Sequence, residues 1–264
     1  MNYKFVERAN FEDFSGGRVI YHRPGFTNYP VRLACEIFMR CLTKIDKAKV
    51  NIYDPCCGSG YILTVLGFLY GDRINAIYGS DLSSEAVSMA EKNLRLLSPE
   101  GLIKRKEELD VLYRRYGKDS HLQGIESAER LLRMVCDSEI CCKVFKRDVL
   151  VEKEKEVEKE AYSIACIDNG TNMNTDTEID IGTNIDMDVD IVITDVPYGN
   201  LVDWSASGSF AIDAMLENIK TNLNPKAVVA ISSDKGQKIN NPAYIRVEKF
   251  KAGKRKVEIL VRGD

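Results

Sequence analysis

Val50-Asn51-Ile52-Tyr53-Asp54-Pro55-Cys56-Cys57-Gly58-Ser59-Gly60 runs from a strand into a glycine turn, and Tyr61 to Tyr70 continues it as an almost wholly apolar helix. The glycines let the backbone approach a ligand closely, and a helix apolar all round must be buried. The unit repeats at once. Ala76-Ile77-Tyr78-Gly79-Ser80-Asp81 reads as a second strand and Ser84 to Leu97 as a second helix, with Ala86, Met89, Ala90 and Leu94 on one face. Strands alternating with helices predict an α/β fold whose parallel sheet is covered on both faces.

Upstream, residues 1–45 form an N-terminal segment and helix. Gly16-Gly17 and Pro24-Gly25 break the segment, Asn28 suits an N-cap, and Pro30 suits a first helical turn. Leu33, Ala34, Ile37, Phe38 and Cys41 then recur at helical spacing over about 30–43. Downstream, residues 102–136 read as wholly helical and interrupt the alternation, so they count as an insertion. Cys141 to Phe145 is a third strand that ends near Asp148. Residues 152–189 are alternating Glu and Lys, then Asn, Thr, Asp and Gly, which reads as an acidic low-complexity loop. Asp186-x-Asp188-x-Asp190 lacks the glycine and glutamate of a calcium loop, and Met187, Val189 and Ile191 instead begin a strand, so no metal is expected. Phe210 to Leu223 is a helix and Ala227 to Ser232 a strand. Strands at 244–251 and 256–262 flank Ala252-Gly253-Lys254-Arg255, an antiparallel hairpin closing one sheet edge. The whole is read as a single domain, 1–264.

The 264 residues, 44% hydrophobic and 29% charged, are those of a globular chain. There is no apolar run of the ~18 residues that a membrane span needs, and the first residues lack the apolar core of a signal peptide. A cytoplasmic protein is the expectation. The 8 cysteines include neighbours at 56–57 and 141–142, and there are 2 histidines. That spacing suits neither a disulfide framework nor zinc. The net charge of −3 is unevenly spread: residues 152–190 hold 12 acids and 3 bases, and the remaining 28 acids and 34 bases leave the body at +6. A basic body is compatible with a phosphate-bearing partner.

Two sites stand out. In Asp54-x-x-x-Gly58-x-Gly60 the turn joins a strand to a helix, and Asp81 ends the next strand 21 residues after Gly60, where an acid would hold ribose hydroxyls. A dinucleotide fold would need a third glycine where Leu63 stands. Asp54 would repel a pyrophosphate but suits a cationic, amino-acid-like group, which favours S-adenosylmethionine; a plain tight turn is the alternative. Pro55, Cys56 and Leu82 fall beside these residues. Asp148, followed by Val149, could accept from an adenine amino group, or be a surface acid. The second site is Asp195-Val196-Pro197-Tyr198-Gly199, after the buried-strand run Asp190 to Thr194. A carboxylate, a proline carbonyl and an aromatic ring at a strand end can hold a flat, nitrogen-rich base.

These motifs resemble those of class I methyltransferases that act on nucleobase nitrogens. Asp195-Val196-Pro197-Tyr198 looks like their D/N-P-P-Y motif, with valine in second place. The chain is more closely similar to the avilamycin-resistance rRNA methyltransferase family, the AviRa type. The similarity is carried by Arg18-Val19-Ile20-Tyr21, Pro24-Gly25-Phe26, Tyr29 to Phe38, Tyr53 to Tyr61, Lys92-Asn93-Leu94, Leu97-Ser98-Pro99 and Thr194 to Gly199. The resemblance implies a Rossmann-like, mostly parallel seven-stranded sheet and S-adenosylmethionine as cofactor. It implies methylation of a guanine in large-subunit rRNA and resistance to orthosomycins; a monomer is the expectation.

Asp195 would then accept an N–H of the base, localise its lone pair and take the proton, while Tyr198 stacks on the base. Arg23, Arg32, Lys104, Arg105, Arg114 and Arg115 are the candidates for phosphate contacts. The rivals are a DNA adenine or cytosine amino methyltransferase, which lacks a visible recognition domain here, and a silent RNA-binding module. Retention of Asp54, Asp81 and Asp195 together argues against the latter.

Overall fold

The computed structural model describes residues 2–24, 29–135, 140–152, 187–197 and 211–263. Their strands form one sheet. β1 (Val50–Asp54), β2 (Ile74–Asp81), β3 (Cys141–Lys146), β4 (Val189–Asp195) and β5 (Leu223–Ser233) are parallel; β6 (Tyr244–Ala252) and β7 (Arg255–Arg262) are antiparallel additions, giving the order β3-β2-β1-β4-β5-β7-β6. The expected seven-stranded α/β architecture with its antiparallel hairpin is therefore present. Chain direction across the sheet reverses between β1 and β4, which lie side by side, and that is the switch point where open α/β sheets bind ligands.

Alternating side chains divide the core into two layers. Ile52, Ile77, Ile191, Ile193, Val228 and Ile259 face one layer with α1 (Val31–Leu42), α2 (Tyr61–Tyr70) and α3 (Ser84–Leu94). Tyr53, Tyr78, Val192, Val229, Ile231 and Leu260 face the other with α6 (Ala211–Ile219). Strands buried on both faces explain why β4 reads as a continuous apolar run.

The boundaries differ from expectation in physical ways. The insertion is two helices, α4 (Pro99–Tyr116) and α5 (Asp119–Val135). Ser98 caps α4 by accepting from the Gly101 N–H at 3.0 Å, so the helix starts before residue 102. Pro30 immediately precedes α1 instead of lying in its first turn. α3 ends at Leu94 and tightens to a 3₁₀ turn over Arg95–Leu97. Asp148 lies two residues beyond β3. Met187 is buried and Val189 opens β4, so the acidic loop cannot run to 189. At the hairpin, Ala252 pairs with Arg255 and Gly253 takes φ +61°, a conformation the first position of a two-residue turn demands. The expected N-cap Asn28 and the helix start at Phe210 lie outside the described residues.

The N-terminal segment is a strap across three supports. The N–H groups of Lys4, Phe5 and Val6 donate to the buried Glu36 at 2.7, 3.0 and 3.1 Å. Asp13 takes a bidentate pair from Arg130 and a bond from Ser127 on α5. Tyr21 and the fully buried Asn93 exchange bonds of 2.7 and 3.1 Å, and the same Asn93 amide donates to the Ser59 carbonyl in the glycine turn at 2.9 Å.

Candidate functional site

Three carboxylates end three adjacent strands: Asp81 on β2, Asp54 on β1 and Asp195 on β4. The turn after β1 aims its amides at two of them. Cys56 N–H donates to Asp54 at 3.0 Å, and Gly58 N–H to Asp81 at 2.9 Å. The other Asp81 oxygen accepts from Ser83 N–H at 3.0 Å. Gly60 sits at φ +70° as it enters α2, and a Cβ there would lie 3.0 Å from that of Ala90, so only glycine lets α2 pack on α3.

Asp54 is 2% exposed, and burial pushes its carboxyl up to about 7. The Thr194 hydroxyl and the Cys56 amide pull the other way, and Asp81 and Asp195 add like charge. Burial also raises Asp81, against the backbone amides of Ser83, Gly58 and Leu82. No Lys or Arg pairs with Asp54 or Asp81 among the described residues. A buried and a half-buried acid without such a pair suit a positively charged ligand. S-adenosylmethionine fits: its ammonium and sulfonium would lie near Asp54, and its ribose hydroxyls would meet Asp81. Leu82 is 54% exposed beside Asp81 and could pack on the purine of such a cofactor. Asp148 is half-buried with one oxygen tied to Leu150 N–H at 2.9 Å, and Val149 is buried. Pro55 is buried and Cys56 half-buried in the turn.

Asp195 has a different neighbourhood. Arg255, at the start of β7, grips both carboxylate oxygens at 3.2 Å and lies over the Tyr29 ring. Tyr29 in turn bonds Ser232 through its hydroxyl at 2.5 Å. Burial raises the Asp195 carboxyl, and Arg255 draws it back down. The Pro197 carbonyl already accepts from Gln237 Nε2 at 3.0 Å, so one of its two lone pairs remains for a base. Tyr198 lies outside the described residues.

Sequence reasoning passed over Arg255, Gln237, Thr194 and the role of Asn93. Arg255 sits 60 positions from Asp195 in a turn whose composition signals only a hairpin. Tyr29 and Asn93 lay within the stretches of family similarity, but nothing local marked their contacts.

The expected phosphate-binding residues scatter. Arg105 is corrected: it is buried, donates to the Val19 and Arg18 carbonyls at 2.9 and 3.2 Å, and lies on the Tyr21 ring. Arg32 is likewise committed to the strap, through the Val6 carbonyl and the Tyr3 ring. Arg23 pairs with Glu85, and Arg114 with Asp110. Lys104 and Arg115 are exposed, Arg115 near the Tyr116 ring. The insertion braces the strap, a role its charge pattern did not disclose. No group of metal-ligating side chains occurs among the described residues, and Cys35, Cys41, Cys56 and Cys57 are free thiols. No helix there is long and apolar enough to cross a membrane.

The model of a family described as rRNA methyltransferase AviRa matches residues 1–255. A 23S rRNA (guanine(2535)-N(1))-methyltransferase of Streptomyces viridochromogenes is 32% identical over 261 residues, covering 97% of this chain and 94% of that protein. Two solved structures of the rRNA methyltransferase AviRa from Streptomyces viridochromogenes each match with a TM-score of 0.77 at 29% identity, covering 99% of this chain and 96% of theirs.

Proposed function

The chain belongs to the AviRa family of rRNA methyltransferases, and from that premise we propose that it transfers a methyl group from S-adenosylmethionine to a guanine of large-subunit 23S rRNA. The observation that carries the reading is the contrast across the switch point. Asp54 is buried and Asp81 half-buried, neither paired with a cation among the described residues, whereas Asp195, one strand away, is held by Arg255. One side suits a cationic cofactor and the other a base that must give up a proton.

When bound, the cofactor supplies an electrophilic methyl on a sulfonium. Everything else falls to the chain. Asp195 accepts the N–H of the guanine, aligns the nitrogen lone pair at about 3 Å from the methyl carbon, and keeps the proton that the new N–C bond displaces. N1 is the atom we assign, as in the name of the relative. Arg255 keeps Asp195 ionised and aimed. Gln237 holds the Pro197 carbonyl beside it, and Tyr198 is the ring on which the flipped base stacks, worth about 1–3 kcal/mol. We place the reaction in the cytoplasm, by a monomer. Protection against orthosomycins is part of the proposal, read as the drug sensitivity of cells that express the chain.

Incubation with methyl-labelled cofactor and 23S rRNA, followed by mass mapping, is expected to give one methylguanine. Asp195→Ala should abolish transfer and leave cofactor affinity within about twofold, because it removes an interaction made with the reacting base. Transfer retained within a few fold in that variant would sink the catalytic assignment.

A further inference from the structure

Resting on that reading, we infer that the RNA backbone is held by four lysines, Lys235, Lys238, Lys251 and Lys254, on the two loops that flank Asp195 and Pro197. All four are exposed, and none has an acidic partner among the described residues. Elsewhere on the body the cations are largely paired or tied to carbonyls, as Arg23, Arg32, Arg40, Lys47, Arg105, Arg114, Arg130 and Arg246 are.

The loops are fixed to the site by short links. Lys235 and Lys238 bracket Gln237, which donates to the Pro197 carbonyl at 3.0 Å. Lys254 sits in the hairpin turn beside Arg255, whose guanidinium holds Asp195. Lys251 lies directly opposite Lys256. Directly opposed residues share a sheet face, and Lys256 Nζ reaches the Gln237 carbonyl. The two loops are thus joined, and their free charges collect at the mouth that admits the base. Three acids border these loops: Asp234 accepts the Gly236 N–H at 2.9 Å, Asp213 accepts the Asn240 N–H at 3.0 Å, and Glu258 pairs with Lys256 at 2.7 Å. Like charges held together without ion pairs of their own carry a repulsion that phosphates relieve, and a substrate base drawn to Asp195 brings its own phosphates to this rim.

The test is filter binding of a 23S rRNA fragment across a salt series, with methyl transfer measured in parallel. The charge-reversed set Lys235→Glu, Lys238→Glu, Lys251→Glu and Lys254→Glu should lose at least tenfold in affinity at moderate salt. Its salt slope should flatten by about 3, since each neutralised phosphate contributes roughly 0.7 to 0.9. S-adenosylmethionine affinity, unchanged, reports that the variant is folded. The comparison set Lys104→Glu, Arg114→Glu and Arg115→Glu should leave slope and affinity near wild type. The reverse pattern, or no change in either set, overturns the inference. The two readings fail separately. Transfer with an unaltered KM in the lysine set removes this surface and leaves the activity. Binding that depends on the lysines, without transfer by the wild type, removes the activity and leaves the surface.

Discussion

Asp54 is where the residue chemistry is most exposed to test. Its carboxyl is held up to about 7 in the folded chain against an ordinary value of 3.8. Between those values the folded state binds the extra proton, so the group's contribution to stability is fully present below the lower value and lost as pH rises through about 7. Asp54→Asn should therefore have a flatter stability profile and a higher melting temperature than wild type at pH 8, by calorimetry. The same variant should bind S-adenosylmethionine about tenfold or more weakly, a charged contact being worth about 1.5–3 kcal/mol, and wild-type affinity should climb with pH up to about 7. An affinity flat from pH 5 to 8 would show that Asp54 does not meet a cation. Arg255 predicts the opposite kind of titration. It lowers an Asp195 that burial raises. Arg255→Gln should move the acid limb of kcat/KM to higher pH and leave cofactor affinity unaltered, with Arg255→Lys restoring much of the shift. A uniform drop at all pH values would reduce Arg255 to a structural tether.

At the scale of elements, the glycine turn, α3 and the strap meet at one side chain. Asn93 satisfies two Tyr21 backbone groups and the Ser59 carbonyl. Truncation would leave those groups buried without partners, at about 1–3 kcal/mol. Asn93→Ala should lower the melting temperature by about 4–8 °C and raise the cofactor Kd, because the turn that carries Gly58 loses its anchor. An unchanged Kd with lowered stability would separate the strap from the site. These elements also show what local sequence reveals. The β-turn-α repeat announced β1, α2 and β2 within a few residues, because period and glycine placement are local signals. Asp54, Asp81 and Asp195 were legible for the same reason, each lying at a strand end. The brace formed by α4 and α5 was not. Arg105 looks like any exposed helical arginine until the Val19 carbonyl, 86 positions away, is brought against it. The clasp of Arg255 on Asp195 was hidden in the same way, by distance along the chain.

Across the whole molecule, the acidic stretch is the feature to remove. Met187 and Val189 belong to the core, so the excision is confined to residues 153–186, which lie outside the described residues. It deletes 9 acids and 3 bases and changes the net charge from −3 to +3. With a short Gly-Ser linker in its place, the melting temperature and cofactor affinity should stay near wild type, and rRNA affinity should rise at low salt as long-range repulsion is relieved. Cooperative unfolding lost on excision would mean that the stretch packs as structure. The strap has a consequence for the order in which the protein is made. Tyr29 and its neighbours leave the ribosome early, yet the partners that seat them, Ser232 and Arg255, are among the last to be synthesised. A nascent chain could assemble β1 to β4 and the cofactor turn long before the hairpin emerges. The carboxylate on the base side would still lack its guanidinium and its aromatic backing. Activity is thus deferred until synthesis reaches β7, and a ribosome-bound intermediate stalled before Arg255 should bind S-adenosylmethionine but methylate nothing.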